Sequence, residues 1–291
     1  MTGFDHTGST ARARWRSLLF VPADNERALA KAADRGADAL ILDLEDAVAE
    51  RMKAKARSAL GTTIAMLRSK GQHDILVRVN ATDGMRDDIL AAHKAGANAI
   101  MLPKTEKADD VAVASAILDT SPLSSSARMG IVALLESPAA VLAISTIAHA
   151  PRVIGLALGS EDFGLALGVP PDRANLSLPC QMLALAAATR SIAAIGLPVS
   201  LAGFADLPDY SAAAAEARAM GLTGAMCIHP AQIKSLNDAF GDSPPLREWA
   251  LEILSAWEEA RSQGQNVASF RGSMVDEPVV ARAKAIIARS G

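Results

Sequence analysis

Cysteine is nearly absent from this chain. Cys180 and Cys227 are far apart in apolar surroundings, which excludes a disulfide framework and points to a reducing compartment. Neither they nor the five histidines fall at zinc-like spacing. Charge of one sign is also lacking: 29 Lys and Arg against 32 Asp and Glu leave a net charge of -3. That balance gives no reason to expect nucleic acid or an anionic membrane as a general partner. No apolar run is long enough to cross a bilayer, and Glu136 and Pro138 interrupt the best candidate. The opening "MTGFDHTGSTARARW" has no apolar core of a signal peptide. Residues 1–14 are expected to form a flexible arm on a soluble, cytoplasmic protein.

What the chain does have is a regular alternation. Its 291 residues, half of them hydrophobic, suffice for one large α/β domain or two ordinary ones. Short apolar runs occur at 17–23, 39–45, 74–80, 97–104, 130–136, 153–159, 198–204 and 224–230. Each is almost continuously apolar, as expected of parallel strands covered on both faces. Segments at helical spacing lie between them, for example 24–35, 50–69, 106–118, 138–149 and 208–220. "DRGADALI" and "HKAGANAI" share one arrangement, a helix stopped by glycine and followed at once by a strand. Eight such units predict a (β/α)8 TIM barrel over 15–241, since that fold takes roughly 250 residues. A doubly wound open sheet is the alternative, but no glycine-rich nucleotide fingerprint follows the first strand. After "DSPPLREW", residues 242–291 read as a C-terminal helical appendage, a lid or oligomerisation segment.

The stretch "IVALLESPAAV" at 131–141 poses a chemical question, because a strand-like run ends in the single carboxylate Glu136. Ser137 and Pro138 suit a helix start, whereas Glu136 has no such local reason. In a barrel, chemistry sits at the C-terminal ends of the strands. Those ends carry "DLED" with Glu45, Arg78, Lys104, Glu136, "GSEDFG" with Asp162, and His229. Carboxylates clustered away from water repel one another, and a hard divalent cation relieves them while keeping positions for substrate and water. Glu136 with Asp162 would form such a site. Taken singly, each residue also has a structural reading. Glu136 can be a favourable charge at a helix N-terminus, Asp162 a helix cap, and Arg78 the ion-pair partner of Glu45 or Asp46. Lys104 can be a solvated or paired lysine, and His229 a capping histidine. Convergence on one face favours chemistry.

The motifs "RSLLFVPADNERALAKAADRGADALILDLEDAV", "VRVNATDG", "MLPKTE", "LLES", "GSEDFGLALG" and "CIHPAQI" occur in the order seen in citrate lyase β-subunit-like proteins. From about residue 15 to the end, including "GSMVDEPVV", the chain resembles this branch of the HpcH/HpaI aldolase family, related to malyl-CoA and citramalyl-CoA lyases. Two departures are "VPADN", where many members have "VPGN", and "SLAGFAD", where many carry an Asp-Gly pair.

The resemblance implies a (β/α)8 barrel assembled as a homotrimer or homohexamer, with Mg2+ (or Mn2+) and an acyl thioester substrate that brings coenzyme A. It places the metal ligands at Glu136 and Asp162, the substrate-binding and catalytic arginine at Arg78, and a catalytic acid at Asp276, supplied by a neighbouring subunit in related lyases. Glu45 matches a position near the substrate, and Arg16 one near the coenzyme A phosphates. The implied activity is carbon–carbon cleavage of a malyl-, citramalyl- or citryl-CoA type thioester to a 2-oxo acid and an acyl-CoA. The alternatives are a metal-dependent aldolase on free 2-oxo acids and a carrier-dependent subunit of a lyase complex.

Overall fold

The computed structural model describes residues 15–121, 129–241 and 244–289; the expected N-terminal arm lies outside them. The chain divides between Phe240 and Gly241 into two compact units.

The first unit is built on eight parallel strands: β1 (Ser17–Pro22), β2 (Ala39–Asp43), β3 (Asp74–Arg78), β4 (Ala99–Leu102), β5 (Gly130–Leu135), β6 (Val153–Leu158), β7 (Ala193–Ile195) and β8 (Ala225–Cys227). Helices α1 (Glu26–Ala32), α2 (Glu50–Ser69), α3 (Met85–Ala95), α4 (Ala108–Asp119), α5 (Pro138–Leu142) and α6 (Ile144–Ala148) connect the first six strands. They are followed by α7 (Ser160–Leu167), α8 (Arg173–Arg190), α9 (Leu207–Ala219) and α10 (Ala231–Phe240). The sheet runs β7-β6-β5-β4-β3-β2-β1-β8, and a parallel bridge between Ile195 and Gly224 joins its two ends. Thr223 N–H donates to the Ala194 carbonyl at 2.7 Å and Gly196 N–H to that of Gly224 at 3.0 Å, completing the closure. Glycine is required there, because a Cβ on Gly224 would lie 1.8 Å from the Trp15 carbonyl oxygen. The expected (β/α)8 barrel is therefore present.

Its strands are apolar throughout because both faces are covered: all residues of β2, β4 and β5 are buried. The glycine stops behave as their position suggests. Gly36 and Gly96 take φ of 78° and 79°, a left-handed conformation that ends the helix before β2 and β4.

The seventh strand differs from the sequence expectation. It is Ala193–Ile195, while residues 198–204 form bends and turns. "TRSIAAIG" reads as a continuation of the alanine-rich α8, but Ser191 at φ 54° stops that helix and sends Ile192 into extended chain. Pro198 has no N–H for a ladder bond, and Leu201 is buried from a loop instead.

The second unit contains α11 (Pro244–Ser262), the hairpin β9 (Ala268–Phe270) and β10 (Ser273–Val275), and α12 (Glu277–Arg289). Ala250, Ile253, Val275, Val280 and Ala283 form the centre of its small core. Among the described residues, no helix is long and apolar enough to cross a membrane.

Candidate active site

Parallel strands of matched register bring their last residues side by side. Asp43, the end of β2, pairs in register with Arg78, the end of β3. The guanidinium grips the carboxylate with two bonds, Nε to Oδ1 at 2.7 Å and Nη2 to Oδ2 at 2.6 Å. Asp43 also accepts the N–H groups of Glu45 at 2.9 Å and Ala47 at 3.1 Å, so four donors hold this buried acid. The third guanidinium nitrogen, Nη1, lies 3.1 Å from both Glu45 Oε2 and Asp46 Oδ2. The plane sits 5.1 Å over Phe20. Burial opposes the charge on Arg78, but the Asp43 hydrogen bonds and the three nearby carboxylates outweigh it and raise its pKa.

Glu45 is buried and less well satisfied. Its Oε1 lies 3.1 Å from Lys104 Nζ. Its Oε2 has no hydrogen-bond partner, because Arg78 Nη1 is within ion-pair distance but not aligned. Burial raises its pKa first; Arg78 opposes this and Asp46 adds to it.

Glu136 follows β5 directly and is 7% exposed. Its Oε2 accepts the backbone N–H of Lys104 at 2.6 Å. Lys104 presents that N–H from a left-handed backbone, φ 51°, which is uncommon for a residue with a Cβ. Burial pushes the Glu136 carboxyl up to about 7; the Lys104 N–H opposes this, and the charges of Asp162 and Glu45 add to it. Space for the side chain comes from Gly159 at the end of β6, where a Cβ would lie 2.6 Å from Glu136 Cγ. Ser137 takes its own role in the next helix, capping α5 through Ala140 N–H at 3.2 Å and donating to Glu106 Oε1 at 2.8 Å.

Asp162 lies in the first turn of α7, just after β6, beside Glu161. Glu161 accepts the Ser200 hydroxyl at 2.6 Å and so ties this turn to the loop after β7. That loop is also locked to the end of β8. The fully buried Gln232 donates to the Leu201 carbonyl at 2.9 Å and accepts the N–H groups of Ile228 and His229, each at 3.0 Å. His229 accepts Ala231 N–H at 3.2 Å on Nδ1 and stacks on Phe204 at 5.0 Å, in the capping role open to it from sequence.

The barrel thus gathers Arg78, Glu45, Lys104, Glu136 and Asp162 at one end, with five carboxylates, counting Asp43 and Asp46, facing two cations. One expected site residue of the first unit is not in this set. Arg16 precedes β1, at the opposite rim, where its backbone and guanidinium bond Asp38 at 2.7–2.8 Å. Asp276 lies in the second unit as the cap of α12, accepting Val279 N–H at 3.3 Å. Asp43 and Gln232 were not singled out from sequence. For Asp43 the signal was its place in "DLED" as the last strand residue, opposite the last residue of the next strand.

Among the described residues, no group of three or more His, Cys, Asp and Glu side chains is arranged to hold a metal. The two carboxylates Glu136 and Asp162 are an all-oxygen donor pair, suited to a hard cation that keeps several waters. A carboxyl raised by burial, and further by a neighbouring acid, is the electrostatic imbalance such a cation would remove.

A closed barrel with acids and an anchored arginine at its C-terminal mouth defines a TIM-barrel enzyme with a carboxylate-rich site. The chain belongs to the HpcH/HpaI aldolase/citrate lyase family, whose model matches residues 16–230. It is 34% identical over 280 residues to a (3S)-malyl-CoA thioesterase of Cereibacter sphaeroides, covering 95% of this chain and 94% of the relative. It is 32% identical over 283 residues to the citrate lyase subunit beta of Escherichia coli, covering 94% and 93%. Among solved structures, CitE from Mycobacterium tuberculosis in complex with magnesium, acetoacetate and coenzyme A aligns with a TM-score of 0.76 at 30% identity, over 96% of this chain and 99% of the other.

Proposed function

We propose that this chain is a Mg2+-dependent carbon–carbon lyase that cleaves a malyl-, citramalyl- or citryl-CoA type thioester to a 2-oxo acid and an acyl-CoA. The observation that carries the reading is Glu136, buried beside Asp162 at the ends of β5 and β6 with its carboxyl raised to about 7. Glu136 and Asp162 would hold the cation, with Mn2+ as the alternative metal. Bound there, it would supply Lewis-acid polarisation of the substrate's hydroxyl or oxo oxygen. Names among the relatives and neighbours support thioester and magnesium chemistry.

In the cleavage, the hydroxyl proton leaves, the bond between the hydroxyl carbon and the acyl α-carbon breaks, and its electron pair passes to the α-carbon. That carbon then takes up one proton. Arg78, fixed in place by Asp43, would face the negative charge that develops on the thioester oxygen. A preorganised cation of this kind contributes on the order of 3 kcal/mol. Glu45 borders the same space and would help position substrate. Asp276 would exchange the proton with the acyl carbon, reaching in from a neighbouring subunit of a homotrimer or homohexamer, with 242–291 as lid or oligomerisation segment. Arg16, paired to Asp38 on the other rim, has no part in this scheme.

A second reading, thioester hydrolysis, is favoured by the malyl-CoA thioesterase relatives. One assay separates them. Malyl-, citramalyl- and citryl-CoA are incubated with and without Mg2+, with Glu136→Ala alongside, while free thiol and 2-oxo acid are followed separately. Metal-dependent oxo acid release without free thiol is the expected result. Free thiol without oxo acid would make the protein a thioesterase. No turnover of any thioester by a Mg2+-binding protein would overturn both readings and leave the free-acid aldolase or a carrier-dependent subunit.

A further inference from the structure

The two cations at the barrel mouth are unequally committed. Every nitrogen of Arg78 already faces a carboxylate, Nε and Nη2 on Asp43 and Nη1 on Asp46 and Glu45, and its side chain is 11% exposed. The Lys104 ammonium is paired with Glu45 Oε1 at 3.1 Å on a side chain that is 56% exposed. An ammonium has three donors, so Glu45 occupies one, and the exposure of the side chain leaves capacity for another acceptor. The backbone adds an independent sign. Lys104 holds φ 51°, where glycine would sit without steric penalty. Strain of this kind is retained where the side chain or the conformation serves a site. Here the residue reaches two carboxylates of the site at once, its N–H on Glu136 and its ammonium on Glu45.

We propose that Lys104 is a substrate-binding residue, its ammonium receiving the carboxylate of the 2-oxo acid half, with Glu45 as its counter-ion in the free protein. The assignment rests on the lyase reading above. It divides the labour of the residue: the backbone N–H positions Glu136, and the side chain binds substrate.

The test uses the full chain and two variants that both remove the ammonium, Lys104→Gly and Lys104→Met. Calorimetry measures the binding of glyoxylate, oxaloacetate, pyruvate and coenzyme A in saturating Mg2+, and of Mg2+ alone. Loss of a charge-assisted hydrogen bond should weaken oxo acid binding about tenfold or more in both variants, with Lys104→Arg recovering part of it. Coenzyme A affinity should stay unchanged. Mg2+ affinity of Lys104→Gly should stay within about threefold of wild type, because the N–H to Glu136 remains. Lys104→Gly should also unfold at a higher temperature than Lys104→Met, since only glycine is unstrained at that φ. Equal loss of oxo acid binding in two variants of unequal stability is a pattern that a purely structural role would not produce. Oxo acid binding within twofold of wild type in both variants overturns the assignment, as does a loss confined to coenzyme A. A wild type that binds Mg2+ but none of the three oxo acids overturns the lyase reading and this assignment with it.

Discussion

Gly159 and Glu136 occupy one another's space: a methyl group on Gly159 would stand 2.6 Å from Glu136 Cγ and 3.1 Å from its Oε1. The backbone of Gly159 is ordinary, φ -87° and ψ 100°, so the glycine serves its neighbour and not its own conformation. Consecutive strands β5 and β6 thereby divide the work at the mouth, one supplying the carboxylate and the other the room for it.

Gly159→Ala should therefore push Glu136 aside without opening the barrel. Overpacking of this kind costs about 1–3 kcal/mol, which a domain of this size survives. Mg2+ affinity should fall at least about tenfold, towards that of Glu136→Gln. Calorimetric titration with Mg2+ checks this, and an alanine variant that binds Mg2+ like wild type would show that Glu136 needs no such room.

The Asp43–Arg78 pair should be the least tolerant contact of the site. Both side chains are largely buried, at 2% and 11% exposure, and Asp43 also holds the turn after β2 through Glu45 and Ala47. Asp43→Asn leaves the guanidinium without its bidentate partner, and breaking a buried pair from one side costs about 3–5 kcal/mol. Arg78→Lys should also abolish turnover, since an ammonium cannot reproduce the fork. Thermal unfolding and the thioester cleavage assay test both variants. A fully active and stable Asp43→Asn would place the anchoring of Arg78 in Asp46 and Glu45.

These residues show what could be read before folding. The barrel was legible because parallel strands need continuous apolar runs, and Leu40, Ile41 and Leu42 admit few other readings. The seventh strand was not, because Ala193–Ile195 has only three residues in an alanine-rich context, and its identity depends on the stop at Ser191. At the site, Glu136 stood out because a charge ends an apolar run. The anchor of Arg78 could not be chosen from sequence, since "DLED" offers three acids and register alone decides for Asp43. The left-handed backbone of Lys104 left no trace in the sequence, because lysine is not a residue that advertises positive φ.

The cysteines should be inert in the native protein. Cys180 and Cys227 are fully buried, and burial pushes each thiol up to about 12. At pH 8 almost no thiolate exists, and no reagent reaches it. Titration with a chromogenic disulfide should find no reactive thiol until denaturant is added, and two afterwards. Rapid stoichiometric labelling of the native protein would mean that α8 or β8 opens readily.

Glu136 should make Mg2+ binding pH-dependent across neutrality. Burial raises its carboxyl from 4.5 to about 7 in the folded chain, so the neutral form is favoured there more than in the unfolded chain. In metal-free protein that contribution is fully present below about 4.5 and is lost as pH rises through about 7, a change on the order of 3 kcal/mol. Bound Mg2+ reverses the preference, because a ligand must be deprotonated and the cation then competes with the proton. Affinity should fall by up to about tenfold for each pH unit below about 7. A stabilising ligand raises the unfolding temperature by mass action, so the Mg2+-induced rise should be large at pH 8 and small at pH 6. Glu136→Gln, with no proton to lose, should show a small rise at both. A wild-type rise equal at pH 6 and pH 8 would mean that the cation is held without the Glu136 carboxylate.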